Sequence, residues 1–181
     1  ASCSMLRRLT RSMLQLALVG LLGVELELQR FLPEDAAGYG FDTTGDTLFV
    51  TPLSFELWFE AVEAALDIVR RDPAHVARLV PEVIERAATR AHLSVFLARA
   101  FRRPARDAEL DTRVELVRAE LAAGRAPSDA YLTALQSALL APAFLYRVEA
   151  ERPGESGALQ LGDHELAARL SFFLWGRAPD A

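Results

Sequence analysis

The stretch Ala91-His-Leu-Ser-Val-Phe-Leu-Ala-Arg-Ala-Phe-Arg-Arg-Pro104 carries the clearest periodic pattern in the chain. Its apolar residues recur at intervals of three and four, which places them on one stripe of an α-helix: Leu93, Phe96, Leu97, Ala100 and Phe101. Arginines follow in the last turns, where cations favour the partial negative charge of unpaired carbonyls. Pro104 ends the pattern, because the residue before a proline disfavours the helical conformation. The stretch therefore predicts the end of a core helix.

Helical patterns continue on both sides of this stretch. Thr10 is a suitable N-cap for a helix that ends at Gly23, and Thr51 followed by Pro52 starts another that ends at Asp72. Further helices are expected at 74–103, divided at Pro81, and from Asp107, Ser128, Ala143 and Asp163 onward. No convincing strand pair accompanies them. The sequence predicts an all-α fold, an irregular bundle of six or seven helices with one long Gly-rich loop.

The same spacing predicts which helix faces are buried. In the helix after Thr51 the expected buried residues are Phe55, Trp58, Phe59, Val62, Leu66 and Val69. In the last helix they are Leu166, Leu170, Phe173 and Leu174. The helix before Gly23 is apolar nearly all round, so we expect neighbours on most of its sides.

Composition limits the classes of function. The chain has 181 residues, about half of them apolar, which is enough for a sizeable core. Acidic residues outnumber basic ones and the net charge is −5, so no basic excess exists to bind nucleic acid. Cys3 is the single cysteine, which excludes an internal disulfide, a four-cysteine zinc site and a Cys-x-x-Cys-His haem attachment within this chain. We expect this chain to hold no cofactor and no metal.

The segment from Met13 to Gly23, preceded by three arginines, has several interpretations. A basic start before an apolar run is typical of a signal peptide. The run is too short to span a bilayer, which needs about 20 residues, and no small-x-small cleavage pattern follows it. We favour a buried helix over a signal peptide or a membrane attachment through residues 5–23.

A glycine-punctuated connection contains the stretch Gly38-Tyr-Gly-Phe-Asp-Thr-Thr-Gly-Asp46. Long loops of this kind often carry function. The candidate ligand-binding residues are therefore Tyr39, Phe41, Asp42 and Asp46.

The acidic residues near this loop allow other chemistry. Glu34, Asp35, Asp42 and Asp46 could furnish a carboxylate pair for acid–base catalysis or oxygen ligands for a hard cation. The alternating pattern of a calcium loop is absent, and Asx-turns on a solvated loop explain the same residues. We name no catalytic residue and no metal ligand.

Three further groups of residues have both a functional and a structural interpretation. The histidines lie on three predicted helices without an i, i+4 partner, which favours structural roles: His75, His92 and His164. The arginines of one helix end could contact an anionic partner or face solvent: Arg99, Arg102, Arg103 and Arg106. The aromatic residues could line a pocket or fill a core: Tyr39, Phe41, Trp58, Phe59, Tyr146, Phe172, Phe173 and Trp175.

Several stretches resemble one family, the planctomycete cytochrome-c-associated proteins built from consecutive domains of unknown function. Leu6-Arg-Arg-Leu-Thr-Arg11 and Gly40-Phe-Asp42 resemble the first of these domains. Arg99-Ala-Phe-Arg-Arg-Pro104 and Ala141-Pro-Ala-Phe-Leu-Tyr-Arg-Val-Glu149 resemble the next. Leu161-Gly-Asp-His-Glu-Leu-Ala-Ala-Arg-Leu-Ser-Phe-Phe-Leu-Trp175 resembles the start of a third. The predicted segments are 1–72, 73–152 and a truncated third domain at 153–181.

This resemblance implies a helical module of a secreted or periplasmic multidomain protein, with a haem or redox association among the expectations. The leading hypothesis is a non-catalytic scaffold or interaction domain. Its expected partners are neighbouring domains of a larger protein or a redox partner, with neither nucleic acid nor a membrane. The alternative is an enzyme domain that acts on an extracellular substrate, for example a polysaccharide, through the loop 38–46.

Overall fold

The computed structural model of the chain describes residues 6–35, 51–82, 84–148 and 162–175. The described residues form a short 3₁₀ helix and two strands, β1 (Leu6–Arg8) and β2 (Tyr146–Val148). Their α-helices are α1 (Arg11–Leu22), α2 (Pro52–Arg71), α3 (Pro73–Leu79), α4 (Arg86–Phe101), α5 (Asp107–Ala122), α6 (Pro127–Leu139), α7 (Pro142–Leu145) and α8 (Asp163–Trp175). The all-α class is confirmed. Eight α-helices are described, against six or seven expected. The predicted division at Pro81 gives two separate helices, α3 and α4, and the helix expected from Ala143 is the four-residue α7.

Both predicted ends of α1 are confirmed. The Thr10 side chain accepts a hydrogen bond from the Met13 amide, and Gly23 ends the helix with a left-handed φ of +67°. The helix packs against α2 and α4. Its cover is incomplete, since Leu16 is 45% exposed and Val19 is 36% exposed. The expectation of neighbours on most sides was therefore too strong, because α1 lies at the edge of the bundle.

The carbonyl end of α1 binds side chains from two other helices. Arg78 of α3 donates to the Leu22 carbonyl, and Arg99 of α4 donates to the Gly20 carbonyl at 2.8 Å. His75 places its Nε2 at 3.1 Å from the Gly23 carbonyl. These donors satisfy carbonyls that have no partner within the helix and carry its partial negative charge. The contacts fix α1 against α3 and α4.

Helix α2 begins as predicted, with the Thr51 side chain accepting from the Ser54 amide and Pro52 in the first position. Trp58 is buried, donates from its Nε1 to the Leu139 carbonyl at 3.0 Å and stacks on Phe144 with the ring centroids 6.0 Å apart. Phe55 and Phe59 are exposed, which corrects the prediction that they face inward. Phe59 lies one position past Trp58, about 100° round the helix, and Phe55 lies in the first turn at the rim of the core.

One apolar core joins α1, α2, α4, α5, α6 and α7, and Phe172 of α8 adds to it. The stripe predicted for α4 is buried along its whole length, from Leu93 to Phe101. None of the helices among the described residues combines the length and the apolar character that crossing a lipid bilayer requires. The predicted segment boundaries at residues 72 and 152 stay predictions.

The two short strands pair in antiparallel register, with Leu6 opposite Val148 and Arg8 opposite Tyr146. The Leu9 amide continues the contact by donating to the Leu145 carbonyl at 2.9 Å. This pair corrects the expectation that no strands pair. Three-residue strands are too short to show a detectable alternation, so the sequence pattern could not predict this pair.

Helix α8 presents the opposite face from the one predicted. Its buried residues are Ala168, Ser171 and Phe172. The four residues that the spacing placed inward are exposed, and Trp175 is exposed with them: Leu166, Leu170, Phe173, Leu174 and Trp175. The helix carries apolar residues on more than one side, so periodicity alone could not choose the buried one.

The orientation of α2 gives a test of the fold. Replacing Trp58 with alanine removes a buried indole and leaves the Leu139 carbonyl without its donor, so we expect the free energy of unfolding to fall by about 3–5 kcal/mol. Phe59→Ala, on the exposed side of the same helix, should cost less than about 1 kcal/mol. Urea denaturation of the two variants measures both values. Equal losses would contradict the assigned face of α2.

Candidate functional site

The loop residues predicted to bind a ligand, Tyr39, Phe41, Asp42 and Asp46, lie outside the described residues. The prediction for the loop 38–46 therefore stays a prediction. Asp35, which precedes the loop, accepts hydrogen bonds from the Arg8 guanidinium and from the Arg11 amide at 2.5 Å. Its carboxylate thus holds β1 and the start of α1 in place.

The three histidines are placed apart. His75 lies at the junction of α2 and α3, with its Nδ1 at 2.7 Å from the Asp72 carboxylate. Hydrogen bonds from the Ala74 amide and from His75 lower the pKa of Asp72 below its ordinary value. His92 and His164 are exposed on α4 and α8. Among the residues that the structure describes, no group of three His, Cys, Asp or Glu side chains is placed to hold a metal ion.

The aromatic residues do not share one pocket. Trp58 and Phe172 are buried, Tyr146 is partly buried, and Phe59, Phe173 and Trp175 are exposed. The role in the core is confirmed for Trp58 and Phe172. Tyr39 and Phe41 belong to the loop that is not described.

The described residues enclose a cleft of about 490 Å³, which we call the arginine cleft. It lies between the end of α4, the start of α5, the segment 142–147 and α8. Five arginines line it: Arg102, Arg103, Arg106, Arg147 and Arg169. Two glutamates, Glu109 and Glu165, and His164 complete its polar lining, and the apolar lining includes Phe101, Pro142, Tyr146 and Ala168. Positive charge thus collects here in a chain whose net charge is −5.

Arg102 lines the cleft and directly follows α4 with a left-handed φ of 59°. Its guanidinium donates to the carbonyls of Ala143, Phe144 and Tyr146 at 2.9–3.0 Å and to that of Ala100 at 3.0 Å. The left-handed conformation costs a non-glycine residue roughly 1–2 kcal/mol, and the hydrogen bonds offset that cost. Arg102 therefore fastens the end of α4 to α7 and β2.

The Arg102 guanidinium keeps its positive charge although it is largely buried. Burial, together with the smaller effects of the charges on Arg147 and Arg103, lowers the pKa of Arg102 to about 10. The group is still protonated at neutral pH. Arg102 forms no ion pair with a carboxylate among the described residues, since each of its hydrogen bonds ends on a carbonyl oxygen.

Arg103 and Glu109 form an ion pair in the cleft wall. Two guanidinium nitrogens of Arg103 contact the two carboxylate oxygens of Glu109 at 2.6 and 2.9 Å, and the Arg106 amide donates to Glu109 at 2.8 Å. The Arg103 hydrogen bonds, then the Arg106 amide, lower the pKa of Glu109 to about 2 against the resistance of burial. Glu109 is therefore a fixed anion that orients Arg103 and starts α5.

Helix α8 lines the cleft through His164, Glu165, Ala168 and Arg169, and its Phe172 packs against two arginines of the cleft wall. The Phe172 ring centroid lies 5.2 Å from the Arg147 guanidinium carbon and 5.9 Å from that of Arg102, which are cation–π distances. The Gly162 amide donates to Glu165 at 2.8 Å at the start of the helix. The contacts of Phe172 with Arg102 and Arg147 thus determine which face of α8 is buried.

Only part of this site could be predicted from the sequence. Of the arginines from 99 to 106, Arg102, Arg103 and Arg106 line the cleft, whereas Arg99 donates a hydrogen bond to α1. Arg147 and Arg169 were not predicted, because they are more than 40 positions away along the chain. The alternative of a solvated helix end is corrected for Arg102, whose guanidinium lies among carbonyl groups.

Comparison with known proteins finds matches to two family models. Residues 7–70 match the model described as PSD3, protein of unknown function (DUF1587). Residues 88–149 match the model described as PSD5, protein of unknown function (DUF1595). No curated protein and no solved structure matches the chain. The chain therefore carries two consecutive domains of unknown function, and to that extent the resemblance described above is confirmed.

The Glu109 contacts predict a pH dependence. The pKa of Glu109 lies near 2 in the folded chain and near 4.5 in the unfolded chain. The ionised carboxylate therefore makes its full contribution to the free energy of unfolding above about pH 4.5, and this contribution is lost as the pH falls towards 2. We expect Glu109→Gln to lower the free energy of unfolding at pH 7 by roughly 1–2 kcal/mol, because solvent screening reduces the effect of the pKa shift. Urea denaturation at several pH values should show that difference vanishing at low pH. A difference that is constant with pH, or equal to that of Glu115→Gln in an exposed ion pair, would contradict the assignment.

The Arg102 contacts predict a large effect on stability. Arg102→Met keeps the aliphatic stem but leaves the carbonyls of α7 and β2 without their donor, so we expect a loss of at least about 3 kcal/mol. Arg99→Met, which removes a single hydrogen bond to α1, should cost about 1 kcal/mol. Thermal and urea unfolding monitored by circular dichroism compare the two. Equal stability of these variants would show that Arg102 does not fasten α4 to α7.

Proposed function

We propose that this chain is a non-catalytic scaffold or interaction module of a larger protein. The protein is of the planctomycete cytochrome-c-associated kind, is located in the periplasm or outside the cell, and has a haem or redox association in its other parts. The partner of this module is a neighbouring domain of the same polypeptide, and the contact surface is the outer face of α8.

The exposed apolar face of α8 is the observation that carries this proposal. Five large apolar residues lie on the exposed surface of this 13-residue helix: Leu166, Leu170, Phe173, Leu174 and Trp175. Contiguous apolar surface of this kind is unfavourable in water and marks sites of protein contact. The opposite face of the same helix is held by Phe172. A helix fixed on one face and apolar on the other is suited to join two folded parts.

A neighbouring domain is favoured over a separate protein by the domain organisation. Two consecutive domain families already occupy this chain, and the stretch 161–175 resembles the start of a third. A domain linked to α8 by the chain is present at a high effective concentration, so a small apolar surface is sufficient for stable contact. Interfaces between domains of one chain are often of this modest size.

Amide hydrogen exchange tests this proposal. We expect the amides of α8 to exchange at least about tenfold more slowly in the complete natural polypeptide than in the 181-residue chain, because the neighbouring domain suppresses local opening. The amides of α6, which lies within the core, serve as the internal reference and should not change. Unchanged exchange in α8, or a natural polypeptide that contains no further domain, would contradict the proposal.

A pair of variants identifies the surface. Leu170→Ser with Phe173→Ser should abolish the added protection of α8 in the complete polypeptide. Val95→Ser is the matched control, since Val95 is an exposed apolar residue on α4, away from the outer face of α8. An equal effect of the control would assign the protection to general stability and not to this face.

A further inference from the structure

Five arginines and two glutamates line the arginine cleft, so its wall carries an excess of positive charge. Glu109 is committed to Arg103, with both oxygens in contact with that guanidinium. Arg102 ends its hydrogen bonds on carbonyls, which satisfy its N–H groups and leave its charge in place. A partly buried cation near two further cations is a costly arrangement unless an anion accompanies it. The cleft is therefore built to receive negative charge from outside its own wall.

Cations reach the cleft from elements on two sides. Arg106 precedes α5 and is exposed, and Arg169 lies on α8 and is exposed. Guanidinium groups present planar pairs of N–H donors that match the oxygens of a carboxylate or phosphate. An anion between these two residues contacts both the body of the fold and α8.

The remaining wall determines what carries the negative charge. Phe101, Pro142, Ala143, Tyr146 and Ala168 present apolar surface to the same cleft. A volume of about 490 Å³ lies in the range of sites for small organic ligands. A bare inorganic anion would leave most of this surface in contact with water, whereas an apolar frame would cover it.

We infer that the arginine cleft binds a small organic anion, a carboxylate or phosphate carried on an apolar or aromatic frame. The acidic group lies between Arg106 and Arg169 and faces Arg102, and the frame packs against Phe101 and Tyr146. This binding site is separate from the domain contact proposed for the outer face of α8, and either can hold without the other.

Calorimetric titration with a naphthalene dicarboxylate, in a low-salt buffer without phosphate, tests this site. Binding is expected, and its affinity should fall as salt screens the charges. The uncharged naphthalene dimethanol and inorganic phosphate alone should each bind more weakly, because one lacks the charge and the other lacks the frame. Failure of the dicarboxylate to bind, or equal binding of either comparison ligand, would overturn the inference.

Variants locate the bound probe. Arg106→Gln and Arg169→Gln should each weaken binding of the naphthalene dicarboxylate about tenfold or more, because each removes charge-assisted hydrogen bonds. Both side chains are exposed, so the far-ultraviolet circular dichroism and the midpoint of thermal unfolding should stay close to those of the unchanged chain. Arg118→Gln is the matched control, an exposed arginine of α5 outside the cleft. A loss with Arg118→Gln equal to that with Arg106→Gln would overturn the inference, since it would report net charge and not this site.

Discussion

The carbonyl oxygens at the end of an α-helix have no partner within that helix, and a helix end packed inside a protein needs a donor from another element. In this chain the donors are mainly arginine side chains, and the sequence contains no lysine. A guanidinium can donate several hydrogen bonds in one plane, so one residue can satisfy several carbonyls at once. The contacts are those of Arg99 and Arg78 with α1, of Arg102 with α7 and β2, and of Arg113 with Ser137 of α6. Each contact joins two elements at least 24 positions apart along the chain, so the same interaction satisfies a carbonyl and holds two elements together.

The local part of the fold could be predicted from sequence because its causes are local. Thr10, Gly23 and Thr51 act on amides and carbonyls within four residues, and the structure confirms each of them. The stripe of α4 was also predicted correctly, since its five apolar residues leave only one choice of buried face. Helix α8 has apolar residues on two sides, and the choice between them depends on Arg102 and Arg147. The spacing of apolar residues along α8 does not indicate which residues of the fold will contact each of its faces.

The candidate site also has a local part that could be predicted from sequence and a non-local part that could not. The run of arginines from 99 to 106 was visible in the sequence, and a contact with an anionic partner was one of two interpretations. The other wall of the cleft comes from segments 142–147 and 164–169, which meet the first only after α7 has packed against α4. The strand pair between β1 and β2 is also non-local, because it joins residues 6–8 to residues 146–148 and is extended by the hydrogen bond from the Leu9 amide to the Leu145 carbonyl. Non-local contacts thus create both features that the sequence did not disclose.

Helix α8 belongs to the arginine cleft on one side and to the exposed apolar surface on the other. Phe172 faces Arg102 and Arg147, whereas Phe173, the next residue, is 84% exposed. An anion held between Arg106 and Arg169 would add a contact between α8 and the body of the fold, and a domain docked on Phe173 would restrain the same helix from outside. If both events favour the same position of α8, each must strengthen the other by the same free energy, because the coupling between two binding sites is reciprocal. The shared helix therefore gives the two proposed contacts a physical route to act on one another without a change elsewhere in the core.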